Sequence, residues 1–501
     1  MTSVHPQVKT PVQIDLTPSV VPSAFTGQHV HLIGIGGCGV SGLAIMLQSL
    51  GAICTGSDSV PGALTEALAA SGIPVTHDQA AGTLPAECDL VIASAAIRPD
   101  HPEVFAAETK GIPVLTYAEA LGRLQAERTG ISIAGTHGKS TTAAMLCHVL
   151  IECGLDPSFI VGAMCPQIGG GSRVGSESVP QIARGGPLAG QRGLLVCEAC
   201  EFNRSFHHHR PVIALINNVE EDHLDVYGSL EAVIEAFAEF ARLIPPAGEG
   251  GRLLIAHEGA HRGRITPGLK CAIETFGFHP EADYQVVYDP AVQRVGLMQD
   301  GIWLIQWTNT APGAHIALDA AAAAILARYA GADWQQIAPA LETFRGVERR
   351  MQRLGARDLN GGEVVVYDDY GHHPTEIENT LKALRAAESP QRLICVFQPH
   401  QHSRTRFLLE QFAQSFSHAD VVIVPHIYFV RDSEKEKHRV NATDLVDRLL
   451  QRGVSALHVY PFRAIVDHLE LICQGGDLVV IMGAGPVWQV AHEFLHRGES
   501  P

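Results

Sequence analysis

The sequence predicts an α/β protein of three domains: a Rossmann-like N-terminal domain, a central P-loop-type α/β domain and a C-terminal doubly wound Rossmann-like domain. Three observations carry that reading. Residues 29–57 run strand, glycine turn, helix, strand, with the spacing G-x-G-x-x-G in Gly34-Ile35-Gly36-Gly37-Cys38-Gly39. Residues 131–153 run strand, Gly135-Thr136-His137-Gly138-Lys139-Ser140-Thr141-Thr142, helix. From Glu363 onward, apolar strand runs end repeatedly in polar clusters, which is where open α/β sheets bind ligands. The length of 501 residues, at roughly 150 residues per domain, agrees. The expected domains are 27–125, 126–343 and 344–501.

Composition narrows the function class. Hydrophobic residues make up 46% and charged residues 18%, against a usual charged share of about 25%, so much of the chain is expected to be buried. The formal net charge is −17 and no basic run stands out. The backbone-phosphate attraction of nucleic-acid binders is therefore not expected, nor is docking on an anionic membrane. No apolar run reaches the length of about 18 residues that reads as a membrane span. Met1 to Phe25 has neither the basic start nor the apolar centre of a signal peptide. The eleven cysteines are scattered through strand-like and helix-like context, as with Cys54, Cys147 and Cys395. They read as reduced thiols of a cytoplasmic protein.

In the first domain, strand His29–Ile33 feeds the glycine turn. A helix from Val40 to Leu50 follows, and a second strand, Ala52–Thr55, leads to Ser57-Asp58. The motif sets a diphosphate on a helix N-terminus with an acid about 20 residues on. A dinucleotide and a nucleotide-diphosphate sugar offer that same group. Strand cores at Val75, Leu90–Ala93 and Ile112–Leu115 complete three further βα units.

In the second domain the loop surrounds phosphate with backbone N–H groups, Lys139 reaches the outer phosphates and the Ser140 hydroxyl ligates Mg²⁺. Only Thr136 and His137 separate its glycines, where the common nucleotide loop has four residues. The plain alternative is a βα turn with a surface lysine. Gly162 to Gly193 reads as a long loop. Two strands then deliver Glu198-Ala199-Cys200-Glu201 and Asn217-Asn218-Val219-Glu220-Glu221-Asp222-His223-Leu224-Asp225. These are oxygen-rich candidates for Mg²⁺, although single acids after strands are commonly helix caps. Cys197, Cys200 and His207–His209 suggest zinc, but Cys197 continues an apolar strand and no second pair follows, so no zinc is expected there.

Residues 251–343 read as strand-rich, then helical from Leu318 to Ala330. Arg345, Arg349, Arg350 and Arg353 form a basic junction, suited either to phosphate contact or to a solvated linker. In the third domain a strand at Glu363–Tyr367 delivers Asp368-Asp369-Tyr370-Gly371-His372-His373-Pro374-Thr375-Glu376. Another, at Leu393–Phe397, delivers Gln398-Pro399-His400-Gln401-His402-Ser403-Arg404-Thr405-Arg406.

These runs, with Phe344-Arg-Gly-Val-Glu-Arg-Arg350 and Met482-Gly-Ala-Gly485, resemble the Mur ligases of peptidoglycan synthesis across residues 29 to about 492. The Asp-Asp-Tyr-Gly-His-His-Pro run favours the alanine-adding type. The resemblance implies an ATP-dependent ligase with ATP and Mg²⁺ as cofactors. It would join L-alanine to the carboxylate of UDP-N-acetylmuramate through an acyl phosphate. It also implies roles. Gly34, Gly36, Gly37, Gly39, Ser41 and Asp58 hold the UDP-sugar. Residues Gly135 to Thr141 hold ATP, with Arg350 and Asp369 reaching it from the third domain. Lys139 stabilises the transferring phosphoryl, Ser140 and Glu198 ligate one Mg²⁺, and His223 supports a second metal. Tyr370, His372 and Arg404 line the amino-acid pocket. A cytoplasmic monomer or weak homodimer is expected.

Some positions depart from the family. The phosphate loop has Lys-Ser-Thr-Thr for the usual Lys-Thr-Thr-Thr. His315-Ile316-Ala317-Leu318-Asp319 stands where the family has His-Asn-x-x-Asn, whose amides recognise adenine. Ile316 makes no hydrogen bond, and an ionised Asp319 only accepts. Gln401-His402 replaces a frequent Arg-Tyr. Three other readings stay open: a ligase that recycles preformed peptides, a non-catalytic UDP-sugar or nucleotide-binding regulator, and a nicotinamide oxidoreductase resting on the first glycine motif alone.

Overall fold

The structure is a computed structural model that describes residues 23–180, 188–430 and 432–497. Most of the stretch read as lacking a signal peptide, and part of the long glycine-rich loop, lie outside the described residues.

The first sheet contains β1 (His29–Ile33), β2 (Ile53–Ser57), β3 (Val75–Thr76), β4 (Leu90–Ala93) and β5 (Val114–Thr116). All pairs are parallel, in the order β3-β2-β1-β4-β5. The strand order reverses between β1 and β4, so the crevice for a ligand opens beside the glycine turn after β1. Parallel strands are covered on both faces, which is why β1 is buried from Val30 to Ile33 and still carries a histidine. His31 is satisfied inside: its Nε2 lies 3.1 Å from Glu103, a carboxylate that also accepts from Ser57 at 2.6 Å and Thr83 at 2.7 Å.

The second sheet has ten strands. They are β6 (Thr129–Ala134), β7 (Ser158–Ile160), β8 (Ser172–Arg173), β9 (Leu194–Ala199), β10 (Ile213–Ile216), β11 (Arg252–Ala256), β12 (Ala272–Gly277), β13 (Tyr284–Asp289), β14 (Arg294–Gln299) and β15 (Ile302–Thr308). The order is β15-β14-β13-β12-β11-β10-β6-β9-β7-β8. β6 therefore lies between β10 and β9, parallel to both, and the ends of these three strands share one edge. The third sheet contains β16 (Gln352–Asp358), β17 (Glu363–Asp369), β18 (Leu393–Phe397), β19 (Val421–Val424), β20 (Ser455–His458) and β21 (Leu478–Met482), ordered β16-β17-β21-β18-β19-β20. Only the β16–β17 pair in it is antiparallel.

Two continuous cores fix how the domains meet. Ile160, Leu195 and Cys197 of the second sheet share a core with Leu32, Leu43 and Leu121 of the first domain. Ile377, Leu381 and Phe397 of the third domain join the core of the second.

The three-domain α/β expectation holds, with local differences. The helix expected from Leu318 starts at Ala314, because Gly313, at φ 118°, turns the chain straight into it. His315, Ile316 and Asp319 therefore stand on its first turns. β17 runs two residues further than expected and carries Asp368 and Asp369 on the strand itself. The β16–β17 hairpin was not foreseen, since β16 (QRLGARD) has charged residues where a strand normally shows an apolar face. Leu254, at the centre of β11, is fully enclosed. Leu254→Ala is expected to cost about 2–5 kcal/mol through lost burial and a residual cavity; a lowered urea midpoint, read by circular dichroism, checks this.

Candidate active site

The phosphate loop leaves β6 at Ala134 and enters helix Lys139–Glu152. Gly138 sits at φ +80°, and a Cβ there would lie 2.4 Å from Asp319 Oδ1 and 2.9 Å from Asn217 Nδ2. Both conformation and space therefore require glycine. Asn218, at the end of β10, splints the loop. Its Oδ1 accepts from the His137 N–H at 2.7 Å and its amide donates to the His137 carbonyl at 3.2 Å. The Lys139 ammonium turns back onto the loop, donating to the Gly135 and Thr136 carbonyls at 2.5 and 3.1 Å and to the Glu201 carboxylate at 2.9 Å. Burial works against the charge of Lys139, but Glu201 outweighs it and keeps the ammonium protonated. Ser140 donates to Glu198 Oε2 at 3.0 Å, and Glu198 Oε1 accepts from Gly162 N at 2.6 Å.

A second group of donors lies alongside. Glu201, Asp222 and His223 each bring a ligand atom within 4.8 Å of the others. His223 is held at φ 52°, and its buried Nδ1 has no hydrogen-bond partner among the described residues. Glu198 thus pairs with Ser140, while the acids gathered with His223 are Glu201 and Asp222. Neither of these was singled out in the sequence, although both lie in the strand-end runs. Asp222 also meets Arg404 of the third domain, at 2.9 and 3.0 Å, with both side chains buried. Burial opposes ionisation of Asp222, but the guanidinium holds the carboxyl well below its ordinary range. Arg404 therefore serves this interdomain pair as well as standing next to His400, at 3.3 Å.

The other side chains expected around an amino acid are gathered here too. The Tyr370 and His372 rings meet edge to face at 5.6 Å, and His372 lies 5.9 Å from His400. Burial pushes His372 down to about 4, so it is neutral near pH 7. Arg350 covers the Tyr370 ring at 4.8 Å. Asp369 accepts from Met351 N at 2.7 Å and Gly371 N at 2.6 Å, and burial, partly offset by Arg350, raises it to about 6.

Between these parts lies a cleft. His137, Gly138 and Thr141 line it from the loop, His315, Ile316 and Asp319 from helix Ala314–Ala330, and Arg350, Asp369 and Glu376 from the third domain. Asp319 Oδ1 accepts from Thr142 at 3.0 Å and Asn217 at 2.9 Å beneath the loop. Its burial raises the carboxyl to about 7. Thr136, unlike its neighbours, uses its hydroxyl to accept from Glu220 N at 2.9 Å.

In the first domain, Gly34 adopts φ +76°, with Ser94 in the way of any Cβ. A Cβ on Gly39 would come within 3.0 Å of the Tyr117 ring. Asp58 braces the turn: its Oδ2 accepts from Gly36 N at 2.8 Å and its Oδ1 from Val60 N at 3.0 Å. Ser41 donates to the Cys38 carbonyl at 3.0 Å inside the helix. Gly37 is the residue ahead of that helix, Cys38–Ser49. Cys197 is enclosed in the core while Cys200 is exposed.

The loop also touches the third domain through an ionic network. His137 Nδ1 lies 3.2 Å from Glu376 and its Nε2 3.4 Å from Glu220; Thr375 donates to Glu220 at 2.5 Å. Burial disfavours a charged His137, but the two carboxylates outweigh it and raise it to about 9.

A phosphate loop flanked by acids, facing a cleft closed by a third α/β domain, defines a class of nucleotide-dependent ligase folds. Residues 29–129 match the Mur ligase family catalytic domain, 133–327 the Mur ligase middle domain and 349–485 the Mur ligase glutamate ligase domain. The chain belongs to the Mur ligase family. The UDP-N-acetylmuramate–L-alanine ligase of Agathobacter rectalis is 37% identical over 475 residues, covering 94% of this chain and 98% of the relative. That of Gloeobacter violaceus is 36% identical over 484 residues, covering 95% and 97%. The crystal structure of the UDP-N-acetylmuramate-alanine ligase from Thermotoga maritima superposes with a TM-score of 0.74 at 26% identity, over 94% of this chain and 98% of that one. No helix among the described residues is long and apolar enough to cross a membrane.

The ionic network sets a pH window. Glu220 is lowered from 4.5 to about 2, with burial opposing and His137 prevailing, so its contribution is present above pH 4.5 and lost as pH falls through 2. His137 is raised from 6.5 to about 9, so its contribution is complete below pH 6.5 and lost as pH rises through 9. In metal-free buffer the melting temperature of the parent is expected to decline from pH 6.5 to 9, and the decline should be shallower in His137→Gln. Equal slopes would remove the network from the account.

Proposed function

We propose that this chain is an ATP-dependent ligase joining L-alanine to the carboxylate of UDP-N-acetylmuramate in peptidoglycan precursor synthesis, a cytoplasmic reaction. The observation that carries this is the meeting of Lys139, Ser140 and Glu198 at a phosphate loop whose cleft is closed by Arg350 and Asp369. The relatives of similar length bear the name of that reaction. In this reading residues 27–125 hold the UDP-sugar, 126–343 hold ATP, and 344–501 supply the amino-acid pocket and the far wall of the nucleotide cleft.

A carboxylate is a poor electrophile at neutral pH, so it must first gain a leaving group. A carboxylate oxygen of the muramyl substrate attacks the γ-phosphorus of ATP, the bond to the β-phosphate oxygen breaks, and ADP leaves. The uncharged amine of L-alanine then attacks the acyl carbon, phosphate departs, and the amine's extra proton is lost to solvent. Lys139 exchanges Glu201 for the transferring phosphoryl and offsets its charge, which is most of what such a transfer demands. The Ser140 hydroxyl and Glu198 are hard oxygen donors that fit Mg²⁺. His223, whose buried Nδ1 has no hydrogen-bond partner among the described residues, stands with Glu201 and Asp222 and fits a second cation. Bound Mg²⁺ supplies charge neutralisation at the phosphates. Asp369 and Arg350 would hold the nucleotide, and Tyr370, His372 and Arg404 would border the incoming amine. Asp58 would act by bracing the turn, and Ser41 through the helix that carries it.

Lys139→Ala is expected to abolish turnover and to leave UDP-N-acetylmuramate affinity nearly unchanged, as isothermal calorimetry and ADP release would show. Near-normal ligation by this variant would overturn the assignment. Base selection is the second test. Ile316 offers no hydrogen bond, and Asp319 is already engaged with Thr142 and Asn217. One or two missing hydrogen bonds, each contributing about 0.5–1.5 kcal/mol, should weaken the preference for ATP over GTP by roughly one to two decades. Ile316→Asn should sharpen the ATP-to-GTP ratio of kcat/KM. A parent preference already above about a thousandfold would mean that other contacts select the base.

A further inference from the structure

His137, Glu220 and His373 converge from three different loops. His137 belongs to the phosphate loop, Glu220 follows β10, and His373 follows β17 in the third domain. Their ligand atoms all lie within 4.8 Å of one another. Glu220 Oε2 is 3.4 Å from His137 Nε2 and 3.8 Å from His373 Nδ1. Ligands about 2.0–2.1 Å from a tetrahedral zinc ion stand about 3.4 Å apart, so only small shifts are needed.

The outer nitrogens of both rings are already held. His373 Nε2 lies 3.1 Å from the Glu221 carbonyl, which can only accept, so Nε2 carries the hydrogen and Nδ1 keeps its lone pair. That lone pair caps helix Pro374–Glu388, accepting from the Thr375 N–H at a long 3.3 Å, a bond that a metal would replace. His137 Nδ1 faces the Glu376 carboxylate at 3.2 Å, which directs Nε2 toward Glu220, and a metal binding there displaces the Nε2 proton to solvent. A histidine whose far nitrogen is held by a carboxylate or carbonyl is the arrangement that orients metal-bound imidazoles.

The cluster is reached from two clefts: one lined by Glu220, His261, His373, Thr375 and Leu408, and the nucleotide cleft, which His137, Glu220 and Thr375 also line. We propose that His137, Glu220 and His373 form a binding site for a divalent transition metal of the Zn²⁺ class, with water as fourth ligand, that ties the central domain to the C-terminal domain. Two imidazoles and one carboxylate suit Zn²⁺, whereas Mg²⁺ favours all-oxygen sites and would not displace it. The nucleotide cleft lies between the same two domains, so an ion bound here resists their parting and slows turnover.

The test uses the full chain with its two exposed thiols removed (Cys38→Ser, Cys200→Ser), stripped of metal and titrated with Zn²⁺ against a chromophoric chelator in excess Mg²⁺. The expected result is one Zn²⁺ per chain, with affinity falling at least tenfold in His373→Gln and in Glu220→Gln. Glu376→Gln should weaken it about 10- to 100-fold, through the orientation of His137. Co²⁺ should give the visible absorption of a four-coordinate ion without a thiolate charge-transfer band. Zn²⁺ should raise the melting temperature of the parent but not of either ligand variant, which also reports whether each variant is folded. Zn²⁺ bound equally by parent and both ligand variants, or no stoichiometric Zn²⁺ in the parent, overturns the site.

Discussion

The contact between His137 of the phosphate loop and Glu376 of the third domain decides how the two walls of the nucleotide cleft meet. It joins residues 239 positions apart in the chain, and each partner is already committed locally. Glu376 accepts from the His372 and His373 N–H groups at the start of its helix, at 2.9 and 3.2 Å. His137 is pinned by Asn218 on both sides of its peptide. The loop and the helix are thus each rigid before they touch, and the ion pair transmits the position of one to the other. The buried Asp222–Arg404 pair does the same two residues beyond Glu220. Removing one partner of such a pair strands a buried charge, which costs far more than the intact pair contributes.

This coupling explains why so many charges survive in a chain with few of them. Lys139 cannot stand alone in a buried loop, and Glu201 supplies its counter-charge. The first domain is joined through apolar packing. Its apolar core runs into β7 and β9 without a break, and a Cβ on Gly42 would meet Ser172 at 3.0 Å. Both junctions thus rest on a continuous apolar core, and the junction with the third domain adds the His137–Glu376 and Asp222–Arg404 pairs.

Much of this was legible in the sequence. The turn after β1, the loop after β6 and the acids after β9 and β10 are local patterns of strand, glycine and helix, and each sits where the pattern put it. Ser140 and Glu198 meet at 3.0 Å. Pairings between distant segments were not legible, because periodicity carries no information about which strand ends will face each other. Glu201 against Lys139, Asp222 against Arg404 and His137 against Glu376 are separated by 62, 182 and 239 residues. Asp58 shows a subtler limit: the spacing identifies an acid near the turn, but only the folded turn spends both its oxygens on backbone N–H groups.

The central claim is that the seam between the second and third domains assembles a site for making one particular amide. The most direct measurement is ADP release from ATP and UDP-N-acetylmuramate, with L-alanine, with a preformed cell-wall peptide, or with no amine, and with the product identified by mass. The account predicts ADP formed one for one with UDP-N-acetylmuramoyl-L-alanine, and little sustained ADP without the amino acid. Turnover supported by the peptide but not by L-alanine, or binding of both nucleotides with no ADP under any condition, would contradict it.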